Sequence, residues 1–299
     1  MEPEELPNLL IMDGLLDGCK PFLAMKFGIS THLYHDQRLS REHLEQIAGH
    51  GFEAVELFAT KSHFDYTDPG AIASLAQWLR ETGLTLHGIH APIWDVFGGE
   101  TGDTYSTAAS DNLKRQAAVR QAEAALAVAR EVPAGFMVVH LGTPAAKNGD
   151  NSRAAASRSL EEICRLAEPL DVRIAAEVIP NDLSSASALV AMLDRDFEGS
   201  SVGICLDFGH AHLMGDVADA IETAAEHLLT THVHDNRRRA DDHLVPYRGT
   251  IDWPTALLMM QKIGYDGTYL LELAGNGNPA AVLEDARRAR QRFERALAE

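Results

Sequence analysis

Eight short apolar runs rich in β-branched residues recur from Met25 to the C-terminus, each followed by a longer stretch of helical periodicity. The strands read as 26–30, 54–58, 85–90, 136–141, 173–179, 202–207, 230–234 and 269–273. Strands separated by helical crossovers pair in parallel, and the short connections run over one continuous sheet. Asp68 followed by Pro69 reads as an N-cap with proline in the first turn, and Gly83 as the stop of that helix. Further helices are expected over 117–132 and 280–297. No linker, low-complexity tract or composition shift divides the chain, so the expected fold is α/β, a single (βα)8 TIM barrel over residues 25–299. A doubly wound open sheet also alternates, but its glycine-rich first turn is missing, since THLYHD follows Ser30.

Residues 1–24 are acidic at their start and lack the basic segment of a secretory signal, and they read as an N-terminal extension outside the barrel. Cys19, Cys164 and Cys205 have no C-x-x-C spacing, which suits reduced thiols and a cytoplasmic location. No apolar run approaches the ~20 residues that span a bilayer. The net charge of −18 repels polyanions, which argues against nucleic acid and anionic membranes as partners.

Chemistry-bearing residues gather at the C-terminal ends of the strands, where a barrel of this kind builds its site. The third strand ends in His90, the fourth carries His140, the fifth Glu177, and the sixth ends in Asp207 with His210 beyond it. The seventh ends in His234, with Asp241 and His243 in the following loop, and the eighth carries Glu272. By alternation Glu177 shares a face with Ala175, Asp207 with Cys205, His140 with Val138 and Glu272 with Leu270. Carboxylates among such companions need a counter-charge, and no Lys or Arg ends strands three to six or eight. A divalent metal on Glu177, Asp207, His234 and Glu272 supplies it. His87, His212 and His232 read as hydrogen-bonded support, Asp252 as a helix N-cap and Trp253 as packing.

The motifs VELFA, IHAP, VVHLG, AAEVIP, CLDFGHAHL, HVHDN, DDHLVPYRGTIDWP and LLEL follow one another in this order. In order and spacing the chain resembles the xylose isomerase-like TIM-barrel superfamily, which includes sugar phosphate isomerases and epimerases and the endonuclease IV group of AP endonucleases. In the sugar enzymes the resemblance implies one divalent ion (Mn, Zn, Mg or Co) held by Glu177, Asp207, His234 and Glu272, with His210 beside the substrate oxygens. It also implies site roles for Glu56 and for an arginine near Arg237. The endonuclease resemblance implies further ligands, His90, His140, His210, Asp241 and His243, and with them two or three ions.

The resemblance to the sugar enzymes implies a metal-dependent isomerase or epimerase of a sugar, sugar phosphate or keto-polyol, acting through an enediolate in carbohydrate metabolism. Glu177 and Glu272 are the expected general bases, and His210 the partner of the developing oxyanion. Trp94 and Phe64 are candidates to exclude water, while Glu56, His210, Arg237 and Trp94 form the expected substrate contacts. The expected partner is a small carbohydrate, and the family's frequent pairing allows a homo-oligomer. Alternatives are a multinuclear zinc phosphoesterase, an inosose-type dehydratase and a metal-stabilised binding protein. The loops after strands two and three carry one lysine, Lys61, and favour a small substrate over duplex DNA.

Overall fold

The computed structural model describes residues 25–96, 104–143 and 150–297. The expected N-terminal extension, with Cys19, lies outside these residues. Eight strands, β1 (Lys26–Ser30), β2 (Ala54–Phe58), β3 (Thr85–His90), β4 (Phe136–Val139), β5 (Arg173–Glu177), β6 (Gly203–Asp207), β7 (Leu228–Val233) and β8 (Thr268–Leu271), form a closed barrel in sequence order. Every neighbouring pair is parallel, and β1 closes the ring by pairing with both β2 and β8. Helices separate the strands and form the outer layer.

Alternation along each strand divides the buried side chains into two cores. Ile29, Leu57, Ile89, Val139, Ile174, Ile204, Val233 and Leu271 point outward into one large apolar cluster with the helices. The inward face holds small residues, with Val138, Ala175 and Cys205 as a separate inner cluster. Above that layer the inward face turns polar, and Ser30, Glu56, His90, Glu177, Asp207 and His232 are all buried. Cys164 and Cys205 are free thiols. Among the described residues no helix is long and apolar enough to cross a membrane.

Local signals account for the helix ends. Asp68 accepts a hydrogen bond from the Gly70 amide at 2.9 Å, Pro69 occupies the first turn, and Gly83 stops the helix in the left-handed region at φ 74°. The helix expected over 117–132 instead spans Asn112–Leu126 and tightens into a 3-10 turn, Ala127–Arg130. Asp111 caps it by accepting from the Leu113 and Lys114 amides, so its polar first turn carries no apolar periodicity to announce it. Strands β4, β5, β7 and β8 end one or two residues earlier than expected, which leaves His140, His234 and Glu272 just beyond the ladder. There, contacts at the rim replace strand pairing, such as Thr107 Oγ1 donating to the His140 carbonyl at 2.6 Å.

The loop after β2 buries His63 completely. Its Nδ1 meets the Gln37 carbonyl at 2.7 Å, and its Nε2 has no hydrogen-bond partner. Burial pushes this imidazole down to about 4. It is therefore neutral in the folded chain and takes up a proton on unfolding below its ordinary value. Its contribution is intact above pH ~6.5 and is lost as pH falls toward 4, by up to about 3 kcal/mol. Urea unfolding at pH 7.5 and 4.5 is expected to show a smaller acid-induced loss of stability for His63→Phe than for the unaltered chain.

Candidate metal centre at the barrel mouth

Three buried carboxylates and one imidazole meet inside the top of the barrel. One ligand atom from each of Glu177, Asp207, His232 and Glu272 lies within 4.8 Å of all the others. His232 Nδ1 is 3.1 Å from Glu177 Oε1, 3.4 Å from Glu272 Oε2 and 3.9 Å from Asp207 Oδ2. The imidazole within this set is His232, while the expected ligand His234 lies at its edge, with Nε2 3.0 Å from Asp207 Oδ1. Both rings lie on the inward face of the same chain segment, two residues apart, and ladder register separates them. Asp207 pairs directly with His232, which sets that ring level with the carboxylates, while His234 stands one layer higher.

Glu56 lies beneath this set instead of in the cavity. His232 Nε2 donates to Glu56 Oε2 at 3.0 Å, and Ser30 Oγ donates to Glu56 Oε1 at 3.0 Å. A carboxylate on one ring nitrogen fixes the tautomer and turns the lone pair of the other, Nδ1, toward the donor set.

Two further groups surround the inner set. His90 Nε2 and His140 Nε2 approach Glu177 Oε2 at 3.2 and 2.8 Å. On the other side, His210 Nε2 and His243 Nε2 approach Asp241 Oδ2 at 2.9 and 3.2 Å, and His234 joins them as a fourth donor. Asp207 caps the helix Phe208–Met214 by accepting from the His210 amide at 2.6 Å, which sets that ring over the site. The loop after β7 is held by buried Asp235, which accepts from the amides of Asn236, Tyr247 and Ile251 and from Trp253 Nε1. Asp235 also bridges Leu244, next to His243, whose backbone is left-handed at φ 43°. Asp252 caps the following helix, as expected.

Burial opposes the charged forms of Glu177, Asp207, His210 and His243, and the neighbours reverse it. Burial raises the Glu177 carboxyl, but the His140 and His232 imidazoles hold it well below the ordinary carboxylate range. Asp207 is also lowered on balance, against burial, by His210 and His234. Burial lowers His210, yet Asp207 and Asp241 carry it well above its ordinary value, and Asp241 brings His243 up to about 9 against the same penalty. Protons on His210 and His243 balance the carboxylates, and a cation bound by the same nitrogens would displace them. Among the described residues every ion-pair partner of Glu177, Asp207 and Glu272 is a histidine. Carboxylate and imidazole donors at these separations fit a divalent ion.

A cavity of about 290 Å³ opens above the donors, walled by Phe58, Ile93 and Trp94 and floored by His90, His210 and Glu272. No Lys or Arg is among the described residues that line it. Trp94 lies on the wall, whereas Phe64 is buried in the outer core. Arg237 is exposed and donates to the Arg248 carbonyl, outside the lining. Lys61 pairs with Asp95 at 2.9 Å. His32, from the turn after β1, also lines the cavity. It is a site neighbour that the strand-end pattern did not single out.

A family profile described as xylose isomerase-like TIM barrel matches residues 44–293. An uncharacterised protein of Methanocaldococcus jannaschii is 28% identical over 259 residues, covering 84% of each chain. A protein named D-psicose 3-epimerase from Enterocloster bolteae is 23% identical over 260 residues, covering 83% of this chain and 82% of its own. A crystal structure of a D-tagatose 3-epimerase-like protein superposes with a TM-score of 0.74 at 24% identity, covering 92% of this chain and 100% of its own, a likeness of fold.

The Glu56 contact gives a direct test of the inner donor set. Glu56→Gln is expected to weaken divalent-metal binding about 10- to 100-fold. Competition against a chelator of known affinity measures it, and an unchanged affinity would count against His232 as a donor.

Proposed function

The chain belongs to the xylose isomerase-like TIM-barrel family, and from that premise we propose that it is a divalent-metal-dependent epimerase or isomerase of a sugar, sugar phosphate or keto-polyol. The observation that carries the reading is the convergence of Glu177, Asp207, His232 and Glu272, the last of which lines a cavity of small-molecule size. The named D-psicose 3-epimerase relative supports it.

A divalent ion on these four residues would polarise a substrate carbonyl and the neighbouring hydroxyl, acidifying the C–H between them. Glu177 and Glu272 come from β5 and from the chain just past β8, and on opposite sides of a substrate held over the ion they would act as the two bases. One carboxylate takes the proton from carbon, and the C–H electron pair moves into the enediolate. Return of a proton to the same carbon from the other carboxylate inverts its configuration. Return to the adjacent carbon by the first carboxylate interchanges aldose and ketose. His210 lines the cavity with Nδ1 on the Val178 carbonyl at 3.0 Å and Nε2 on Asp241 Oδ2 at 2.9 Å, and as an imidazolium it would donate from Nε2 to the developing oxyanion in place of Asp241. Phe58, Ile93 and Trp94 exclude water from the reacting carbon.

A second reading, a multinuclear zinc phosphoesterase of the endonuclease IV type, draws on the donors flanking the inner set, His90 and His140 on one side and His210, Asp241 and His243 on the other. Against it stand the net charge of −18 and the lack of a cationic side chain among the described lining residues.

The two readings separate in one experiment. Metal-loaded protein incubated with ketohexoses in D₂O is expected to place deuterium on the carbon next to the carbonyl, seen by NMR. Glu177→Gln is expected to slow that exchange at least about 100-fold with an unchanged circular dichroism spectrum. Cleavage of an abasic-site duplex without any exchange would favour the phosphoesterase instead.

A further inference from the structure

Trp94 walls the cavity from the long connection between β3 and the helix Asn112–Leu126, where neither element sets its place. We propose that Asp95, with Lys61 and Tyr105, is the positioning residue for this wall: their contacts fix the loop after β3 so that the Trp94 indole stands ready for the C–H face of a bound sugar. The proposal rests on the proposed function for the class of substrate and adds the residue on which binding of that substrate depends.

Two side chains converge on one carboxylate oxygen. Tyr105 Oη donates to Asp95 Oδ1 at 2.6 Å, and Lys61 Nζ lies 2.9 Å from the same atom. The Ser62 amide donates to the Asp95 carbonyl at 3.1 Å and the Tyr105 amide to the Ile93 carbonyl at 2.8 Å, while Trp94 and Thr104 face each other in an antiparallel bridge. Asp95 thus joins the outgoing arm of the loop to its returning arm, and both to the loop after β2. Its partners are anchored in turn. Tyr105 is buried, and the Lys61 carbonyl accepts from Arg38 Nη1 at 2.8 Å. The Lys61 ammonium stands 5.9 Å over the ring of Tyr66, which is buried and donates to Gln121 at 2.8 Å. Burial raises the Asp95 carboxyl, but the Tyr105 hydroxyl and the Lys61 ammonium hold it below its ordinary value, so both contacts are made to a carboxylate.

The inner donors come from β5, β6, β7 and the residue just past β8, one half of the ring, whereas Trp94 follows β3 in the other half. A sugar held at those donors by two of its oxygens turns its remaining carbons toward the opposite wall. Its C–H bonds carry partial positive charge and suit the negative face of an indole. Such a contact is made in ground state and transition state alike, so its strength appears in KM and leaves kcat alone. A wall fixed beforehand also saves the cost of ordering it on binding. The Lys61 and Asp95 side chains are 32% and 25% exposed, and an ordinary surface ion pair, which contributes little, is the rival assignment.

The test uses the full-length, metal-loaded protein with the fastest-exchanging ketohexose in D₂O, and follows acrylamide quenching of the part of the tryptophan emission that Trp94→Phe removes. Asp95→Ala is expected to raise KM about 3- to 10-fold, the cost of ordering a freed side chain, with kcat nearly unchanged, and to increase the quenching. Tyr105→Phe, which removes one hydroxyl, is expected to shift both readouts in the same direction, and it decides the matter if Asp95→Ala fails to fold. Asp95→Asn keeps an acceptor for Tyr105 and is expected to recover part of both losses. Unchanged KM and quenching in Asp95→Ala identify a surface pair and overturn the proposal, as does a fall in kcat at constant KM. Increased quenching with an unchanged KM overturns it too, since the wall then bears no substrate. The quenching needs no substrate: if no ketohexose exchanges, the proposed function fails, while quenching alone decides whether Asp95 holds Trp94.

Discussion

Four carboxylates, Glu56, Glu177, Asp207 and Glu272, are buried inside a barrel above an inner layer of small residues, Val138, Ala175 and Cys205, and much of the molecule is organised around that burial. An ionised carboxylate in such surroundings is costly unless it is paired and hydrogen-bonded. The chain meets the demand with histidines. His90, His140, His210, His232 and His234 each approach at least one of these carboxylates, and no lysine or arginine does so among the described residues. Imidazoles answer the requirement in two ways, as protonated partners or as nitrogen donors to a shared cation.

The scaffolding around the mouth follows from this requirement. Ser30 and Glu56 orient His232 from below, main-chain carbonyls of Val178 and Glu272 orient His210 and His243 from the side, and Asp235 gathers three amides and the Trp253 indole to hold the loop that carries Asp241. None of these supporting groups needs to touch a ligand. Each removes rotational freedom from a group that does, so the donors stand close together before anything binds. The net charge of −18 acts at a different scale. Part of it belongs to carboxylates within the barrel, and the rest gives the surface a sign that disfavours polyanions.

Much of the site was legible because strand-end position and alternation are sequence properties. His90, His140, Glu177, Asp207, His210, Asp241, His243 and Glu272 were identified as chemistry-bearing residues, and the structure brings all of them to one mouth. Arg237 was not brought there, since its identification rested on chain proximity to the site, and an exposed arginine one turn away found a carbonyl to bond instead. Glu56 was recognised without a definite place, because a residue at the end of β2 reaches either the cavity or the layer beneath it, and strand stagger decides which. His32 lines the cavity from a turn that carries no periodic signal.

By itself the sequence determined the eight strand and helix units, the polar ends of the strands and the excess of buried negative charge, since each depends on residue order along one chain. Only the tertiary structure shows how His232 and His234 stand to the carboxylates. The two share one face of one strand, and alternation treats them alike. The ladder that sets Asp207 opposite His232 separates them, leaving His232 against Glu177 and Glu272 and His234 against Asp207 and Asp241. That register is a relation between two strands, and no pattern within either strand contains it.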